Sequence, residues 1–595
     1  MRVFEHESRN LDSERLVCLA GNQHAEHACC NVTPSHHAPR VPFHVADVLT
    51  QRRGQVWAYS SEPHKGSCRG LRRGRCPAPR GRVLGGSTGV GYMLRTRPPF
   101  ADFRRWVAAG NEGWGQTLRY FKKAEDQLSA DRWPGFTQAT GGPVPVSDPP
   151  YSSGLSRAFL EAAAWLGYRV HHGENGTVSG FSRLQTTMRD GSRFSAAEAY
   201  LPEAVRGRPN LRVETGSVVT RVLWRGNARA AGVEVRTADK ALLQYRVRKE
   251  VILAAGAVNS PQILMLSGIG PEQHLQSLGI PVLRNLSVGL NLQDHVGVGG
   301  LVWTLEDADE TLSLVDAKVR TAANTWRWLR HGAGPLTALL GGEAAGFFSS
   351  GHNPEGDAED GPDVALLFTP TSPASVPGLA AVHGLGAVLY DTVFAPLEGN
   401  QTFTITPMVL RPASRGRVLL RSKDPMAAPL LQPGFLTHAR DVAVALEGVG
   451  TCKMGVDADS VVDARLRVRG TSGLRVADAS VVPAAPASLL EAVVTMVAEM
   501  AADLIKQDWG AYRTPPPPGF PPPPAPDPFL GTTPAPAPST TSSSVPVAPV
   551  QTPSAPRGQQ GRPGGSTSSP NNTTVKDASS GRPAVGAVDY REPRE

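Results

Sequence analysis

The 595-residue chain contains no apolar run long enough to span a bilayer. Its first twenty residues hold no signal-peptide core, because Glu5, Glu7, Asp12, Glu14 and Arg15 interrupt the apolar positions. As written, the chain is expected in the cytoplasm with no membrane partner; export is expected only if the true N-terminus is missing. The six cysteines form neither a zinc ribbon nor a dense disulfide framework. His24, His27, Cys29, Cys30, His36 and His37 match no standard finger spacing, so no metal site is expected. The net charge is +8, yet the basic residues form no stripe interleaved with aromatics. The densest run, Arg69 to Arg82, is rich in glycine and proline and reads as a solvated loop, which argues against a nucleic-acid partner.

The most informative stretch present is Glu250 to His295. Val251 to Ala255 is a continuous apolar run, the pattern of a strand buried on both faces. It stops at Gly256. Asn259-Ser260-Pro261 then predicts a short helix capped by Ser260, running over Gln262 to Leu266 and ended by Ser267-Gly268. A strand, a tight turn of small residues and a helix can bring backbone N–H groups up to a bound cofactor. Elsewhere, Leu211 to Leu223 reads as a strand pair and Gln401 to Leu410 alternates as a half-buried strand should. Leu474 to Ala477 is a further strand and Ser488 to Lys506 a helix. Beyond Tyr512 the composition turns to Pro, Ala, Ser and Thr, with too few apolar residues to build a core.

The wording of several of these stretches is more specific than their periodicity. Gly256 to Pro271 (GAVNSPQILMLSGIGP) resembles the second signature of the glucose-methanol-choline (GMC) oxidoreductases, and Val288 to His295 resembles that family's next block. Pro79 to Ser87 (PRGRVLGGS) resembles its first signature. The resemblance runs from about Ala46 to Lys506. It implies an α/β fold (α+β overall): a Rossmann-like FAD-binding domain, N-terminally incomplete, with an antiparallel-sheet substrate domain of GMC type. On this reading residues 1–45 are an unrelated, disordered leader, and 46–300 form the FAD-binding domain. Residues 301–425 form the substrate domain, 426–508 the C-terminal region with an internal deletion, and 513–595 a disordered tail. The tail could dock SH3- or WW-type modules, or be passive.

The resemblance also assigns chemistry. It implies FAD as cofactor and a small-molecule alcohol as substrate, oxidised at a CH–OH group with hydride passing to the flavin. Val83, Gly85, Gly86 and Ser87 would lie along the flavin, Val219 would meet the adenine, and Asp478-Ala479 would meet the flavin chain. A disulfide between Cys68 and Cys76 is implied by secreted members, if the protein is exported.

Three departures stand against this pattern. No G-x-G-x-x-G occurs anywhere in the chain, and Gly91 replaces an asparagine usual in the flavin loop. The family's catalytic histidine position falls on Glu447, immediately before Gly448 and the VGTCKMG block, and its second catalytic position falls on Glu491. Two readings follow. One is an FAD-dependent oxidoreductase that holds its cofactor weakly, its catalytic residues unassigned and its turnover open, Glu447 and Glu491 as a new carboxylate pair being an alternative within it. The other is a noncatalytic pseudoenzyme or truncated isoform acting as a binding or structural protein.

Overall fold

The computed structural model describes residues 17–20, 29–30, 40–50, 54–64, 66–108, 117–129, 139–171, 179–299, 301–305, 313–349, 361–442, 446–449, 461–482 and 490–508. The proline-rich tail, with the partner reading placed on it, lies outside these residues, as do the leader histidines.

Along the chain, β1 (Val17–Ala20) and β2 (Cys29–Cys30) precede a hairpin of β3 (Val56–Ser60) and β4 (Pro77–Gly81). Helix α1 (Gly154–Trp165), β5 (Val170–His171) and β6 (Gly180–Arg183) follow. Then come β7 (Glu214–Thr215) and a meander of β8 (Val218–Arg225), β9 (Arg229–Arg236) and β10 (Leu242–Arg246). β11 (Val251–Ala254) leads into α2 (Gly256–Leu266), and β12 (Gln293–His295) comes after it. Next are β13 (Val302–Thr304), α3 (Ala322–His331), β14 (Ala344–Phe348), β15 (Val364–Thr369) and β16 (Thr402–Val409). β17 (Leu446–Val449), β18 (Leu474–Val476) and α4 (Leu490–Asp508) complete the set used below.

β11 is the central strand of a parallel sheet, ordered β1-β11-β18. Its register pairs Val17 with Val251 on one side and Leu253 with Val476 on the other. Val251, Ile252 and Leu253 are buried, as a strand covered on both faces requires. Burying each such side chain contributes about 1.5–3 kcal/mol. Ile263, Leu264 and Met265 of α2 join β11, β18 and the inward face of α4 (Val493, Met496, Val497) in the largest core cluster.

The second sheet has six strands in the order β13-β16-β15-β14-β6-β5. It is antiparallel except at β5–β6. The alternating stretch Gln401 to Leu410 supplies β16, as its pattern predicts.

Three expectations are corrected. First, residues 1–45 do not leave the parallel sheet without its first strand. β1 comes from that leader and pairs along its whole length with β11, and β2 pairs parallel with β7. Second, α2 begins at Gly256 rather than after Pro261, so the proline lies inside the helix. The earlier start is held by Ser260, whose Oγ accepts the N–H of Ala255 at 2.9 Å and folds the first turn back on the strand. Third, the substrate-side sheet takes β5 and β6 from residues assigned above to the FAD-binding domain. Gly180, at φ 138°, lies so close to Arg169 that a Cβ would come within 2.5 Å of its carbonyl oxygen, which lets these two strands join.

Candidate active site

The three parallel strands end together, and the elements around their C-terminal ends define the site. Leaving β18, Asp478 turns its carboxylate toward the start of α2. It accepts the backbone N–H of Gly256 at 2.8 Å and the hydroxyl of Ser260, while its other oxygen accepts the N–H of Ser480 at 2.8 Å. Gly256 has φ 79°, and a Cβ built there meets nothing within 4 Å. Among the described residues nothing fills the space beside Gly256 at the first turn of α2, at the carboxyl edge of a parallel sheet where ligands of α/β folds bind. The residues present fit a dinucleotide along this edge. The segment that follows β1, where a pyrophosphate would be expected, lies outside the described residues. Val219 is on β8, opposite Val235, and packs half-buried against the main core.

The loop after β4 carries Val83, Gly85, Gly86 and Ser87. Val83 is fully buried, and the Gly86 N–H donates to its carbonyl at 3.0 Å. Gly85 and Gly86 have φ 92° and 60°. The close approach that Gly85 permits is to another part of the chain: a Cβ there would lie 2.6 Å from Ser195 Oγ. Thr88 fixes the same contact, its Oγ1 accepting the N–H of Ala196 at 2.9 Å and its carbonyl accepting Arg193 Nη1 at 2.9 Å. Gly91, where the family pattern has asparagine, donates its N–H to Ser87 O at 2.8 Å.

Arg193, bonded to this loop at Thr88, also feels the charge of Glu491 at the head of α4. Glu491 Oε2 accepts the hydroxyl of Thr187 at 3.5 Å. Burial pushes the Glu491 carboxyl up from its ordinary value, against the opposing pull of Arg95, the Thr187 hydroxyl and Arg193. Burial also lowers Arg193 to about 10, with Glu491 and Glu198 opposing. Arg95 is paired with buried Glu125 at 2.7 Å. Glu447 lies on β17, which runs antiparallel to β12 and against the turn Ala479–Val481; its side chain is outside the described residues. The structure thus brings the strand of Glu447, the helix of Glu491 and the Asp478-Ala479 turn together around one edge. Sequence reasoning missed Thr187, Arg193 and Thr88. Thr187 and Glu491 are 304 positions apart, and no local pattern signals such a pair.

Cys68 and Cys76 are joined in a disulfide with Cα atoms 5.5 Å apart, closing the loop between β3 and β4. Among the described residues no group of three or more His, Cys, Asp or Glu could hold a metal, and no helix is long and apolar enough to cross a membrane.

The GMC oxidoreductase family models match residues 58–297 and 445–498. Glucose dehydrogenase [FAD, quinone] of Drosophila melanogaster is 32% identical over 517 residues, covering 76% of this chain and 79% of that protein. Human mitochondrial choline dehydrogenase is 33% identical over 509 residues, covering 76% and 79%. Pyridoxine 4-oxidase from Mesorbium loti superposes with a TM-score of 0.65 at 26% identity, covering 82% of this chain and 94% of that one. The chain therefore belongs to the GMC oxidoreductases, FAD enzymes that act on CH–OH donors.

Proposed function

We propose that this chain oxidises the CH–OH group of a small alcohol or sugar-like substrate, with Glu491 as the acceptor of the hydroxyl proton. The relatives named for glucose and choline oxidation support the substrate class. Val83 to Ser87 and the backbone at Asp478-Ala479 would hold the flavin end of the cofactor, and Val219 the adenine. Bound FAD supplies the hydride acceptor. The chain must supply a base, an oriented substrate and a site closed to water.

The observation that carries the assignment is the setting of Glu491. A carboxylate raised by burial is a stronger base than one in water, which is how enzymes fit glutamate to proton abstraction near neutral pH. The Thr187 hydroxyl lies 3.5 Å from the carboxylate, and Arg193, which donates to the Thr88 carbonyl of the flavin loop, exerts a Coulomb pull on it. Glu491→Gln keeps the shape and removes the base. It is expected to lower the rate of flavin reduction about 100-fold or more, with the flavin still bound. Glu491→His, which restores an imidazole at this position, is expected to recover part of that rate. An unchanged rate in Glu491→Gln assigns the proton to another group.

A further inference from the structure

Helix α3 presents an outer face that stays exposed among the described residues. Ala322, Trp326 and Leu329, spaced i, i+4 and i+7, lie on one stripe of it. Trp326 is 63% exposed and Leu329 69% exposed, and Ala322 and Ala323 are exposed beside them. The opposite face anchors the helix. Trp328 Nε1 donates to the Gly191 carbonyl at 2.9 Å, and its ring packs on the core cluster that contains Leu336 and Leu340. Thr321 caps the N-terminus and Gly332 closes the C-terminus in the left-handed conformation.

The charge on the helix itself has one sign, with the exposed Asp190 lying against its C-terminal end. Between Ala317 and Gly342 the chain carries Lys318, Arg320, Arg327 and Arg330 and no acidic residue. Arg320 is held by Asp47 and Asp316, whereas Arg327 and Arg330 form no ion pair among the described residues. Arg330 is exposed beside the apolar stripe, and His331 sets its ring edge-on to Trp326 at 5.7 Å. A tryptophan and a leucine exposed together and flanked by unpaired arginines make the pattern of a helix lying in a membrane interface.

We propose that α3 docks the protein on an anionic phospholipid surface, with Trp326 and Leu329 entering the headgroup boundary and Arg327 and Arg330 meeting lipid phosphates. The lack of a spanning run does not bear on this, because an interfacial helix needs a face and not a length. Charge complementarity selects the occupant. A second copy docked two-fold on the same face would set Arg330 near its own counterpart, with no acid on the helix to offset the repulsion. An anionic bilayer meets both arginines favourably, each adding roughly tenfold or less to binding at low salt.

The test is co-sedimentation of the full chain, with FAD present, on phosphatidylcholine vesicles with and without 30% phosphatidylserine. Binding is expected on the anionic vesicles only, weakened by added salt. Trp326→Ala with Leu329→Ala is expected to reduce binding about tenfold or more with an unchanged melting temperature, because neither side chain is buried. Arg327→Gln with Arg330→Gln should flatten the salt dependence. Quenching by brominated lipid that disappears in Trp326→Phe would place this ring in the bilayer. The proposal fails if the parent chain does not bind the anionic vesicles. It fails equally if the Trp326/Leu329 variant binds as well as the parent, which would locate binding elsewhere. A dimer in sedimentation velocity, dissolved by the same pair of substitutions, would identify a second copy as the occupant instead.

Discussion

The carboxylate of Asp478 accepts the backbone N–H of Gly256 at 2.8 Å, joining the end of β18 to the first residue of α2 across 222 positions of sequence. The same side chain takes the Ser260 hydroxyl and the Ser480 N–H, so one group fixes two segments of the cofactor edge. Asp478→Ala leaves these buried donors without their acceptor. It is expected to cost about 2 kcal/mol or more and to release FAD. Thermal unfolding with and without added FAD checks this. An unchanged melting temperature would mean that the turn is held by other contacts.

The leader contributes a strand, and that has a consequence for truncation. Removing residues 1–30 takes away β1 and opens one edge of β11, whose apolar residues are buried on both faces. The truncated chain is expected to melt several degrees lower and to aggregate on heating. Full stability after truncation would contradict the pairing of Val17 with Val251.

Glu343 gives a pH dependence whose sign is set by burial. Its Oε2 accepts the Ser153 N–H at 2.9 Å and the Ser153 hydroxyl at 2.7 Å, while Oε1 is buried with no hydrogen-bond partner among the described residues. Burial raises the carboxyl from 4.5 to about 7, with Ser153 and Arg183 opposing. A raised value means that the folded protein binds this proton more tightly than the unfolded chain does. The group's stabilisation is complete below about 4.5 and is lost as pH rises through about 7. The loss amounts to at most about 3 kcal/mol. Glu343→Gln keeps an acceptor for Ser153 and cannot ionise. It should therefore gain on the parent between pH 5 and pH 8, as melting temperatures across that range will show. A constant gap between the two proteins would mean that Glu343 does not titrate there.

Local patterns carried much of the fold. The apolar run at Val251 and the alternation at Gln401 appear as β11 and β16, and the helix read from Ser488 appears as α4 at Leu490–Asp508. What could not be read depended on distant partners. β1 is four residues long, and only its pairing with β11, more than two hundred positions away, makes it a strand. The start of α2 moved to Gly256 because Ser260 answers to Ala255 and Asp478, a partner that no capping rule sees. The glycine at 85, placed along the flavin by the resemblance, permits a close approach of another segment, the loop at Ser195, which no local pattern signals. The raised carboxyl of Glu491 arises from burial, against the opposing pull of residues from other segments, so its sequence position alone could mark it only as a departure.

The most direct test of the account is anaerobic. The full chain is purified, saturated with FAD and freed of excess cofactor, and its visible spectrum is followed as glucose, choline and simple alcohols are added in turn. The account predicts an oxidised-flavin spectrum carried with the protein, held more loosely for want of a G-x-G-x-x-G turn, and bleached by at least one CH–OH donor. A chain that carries no flavin after saturation, or a bound flavin that no CH–OH donor bleaches, would contradict it.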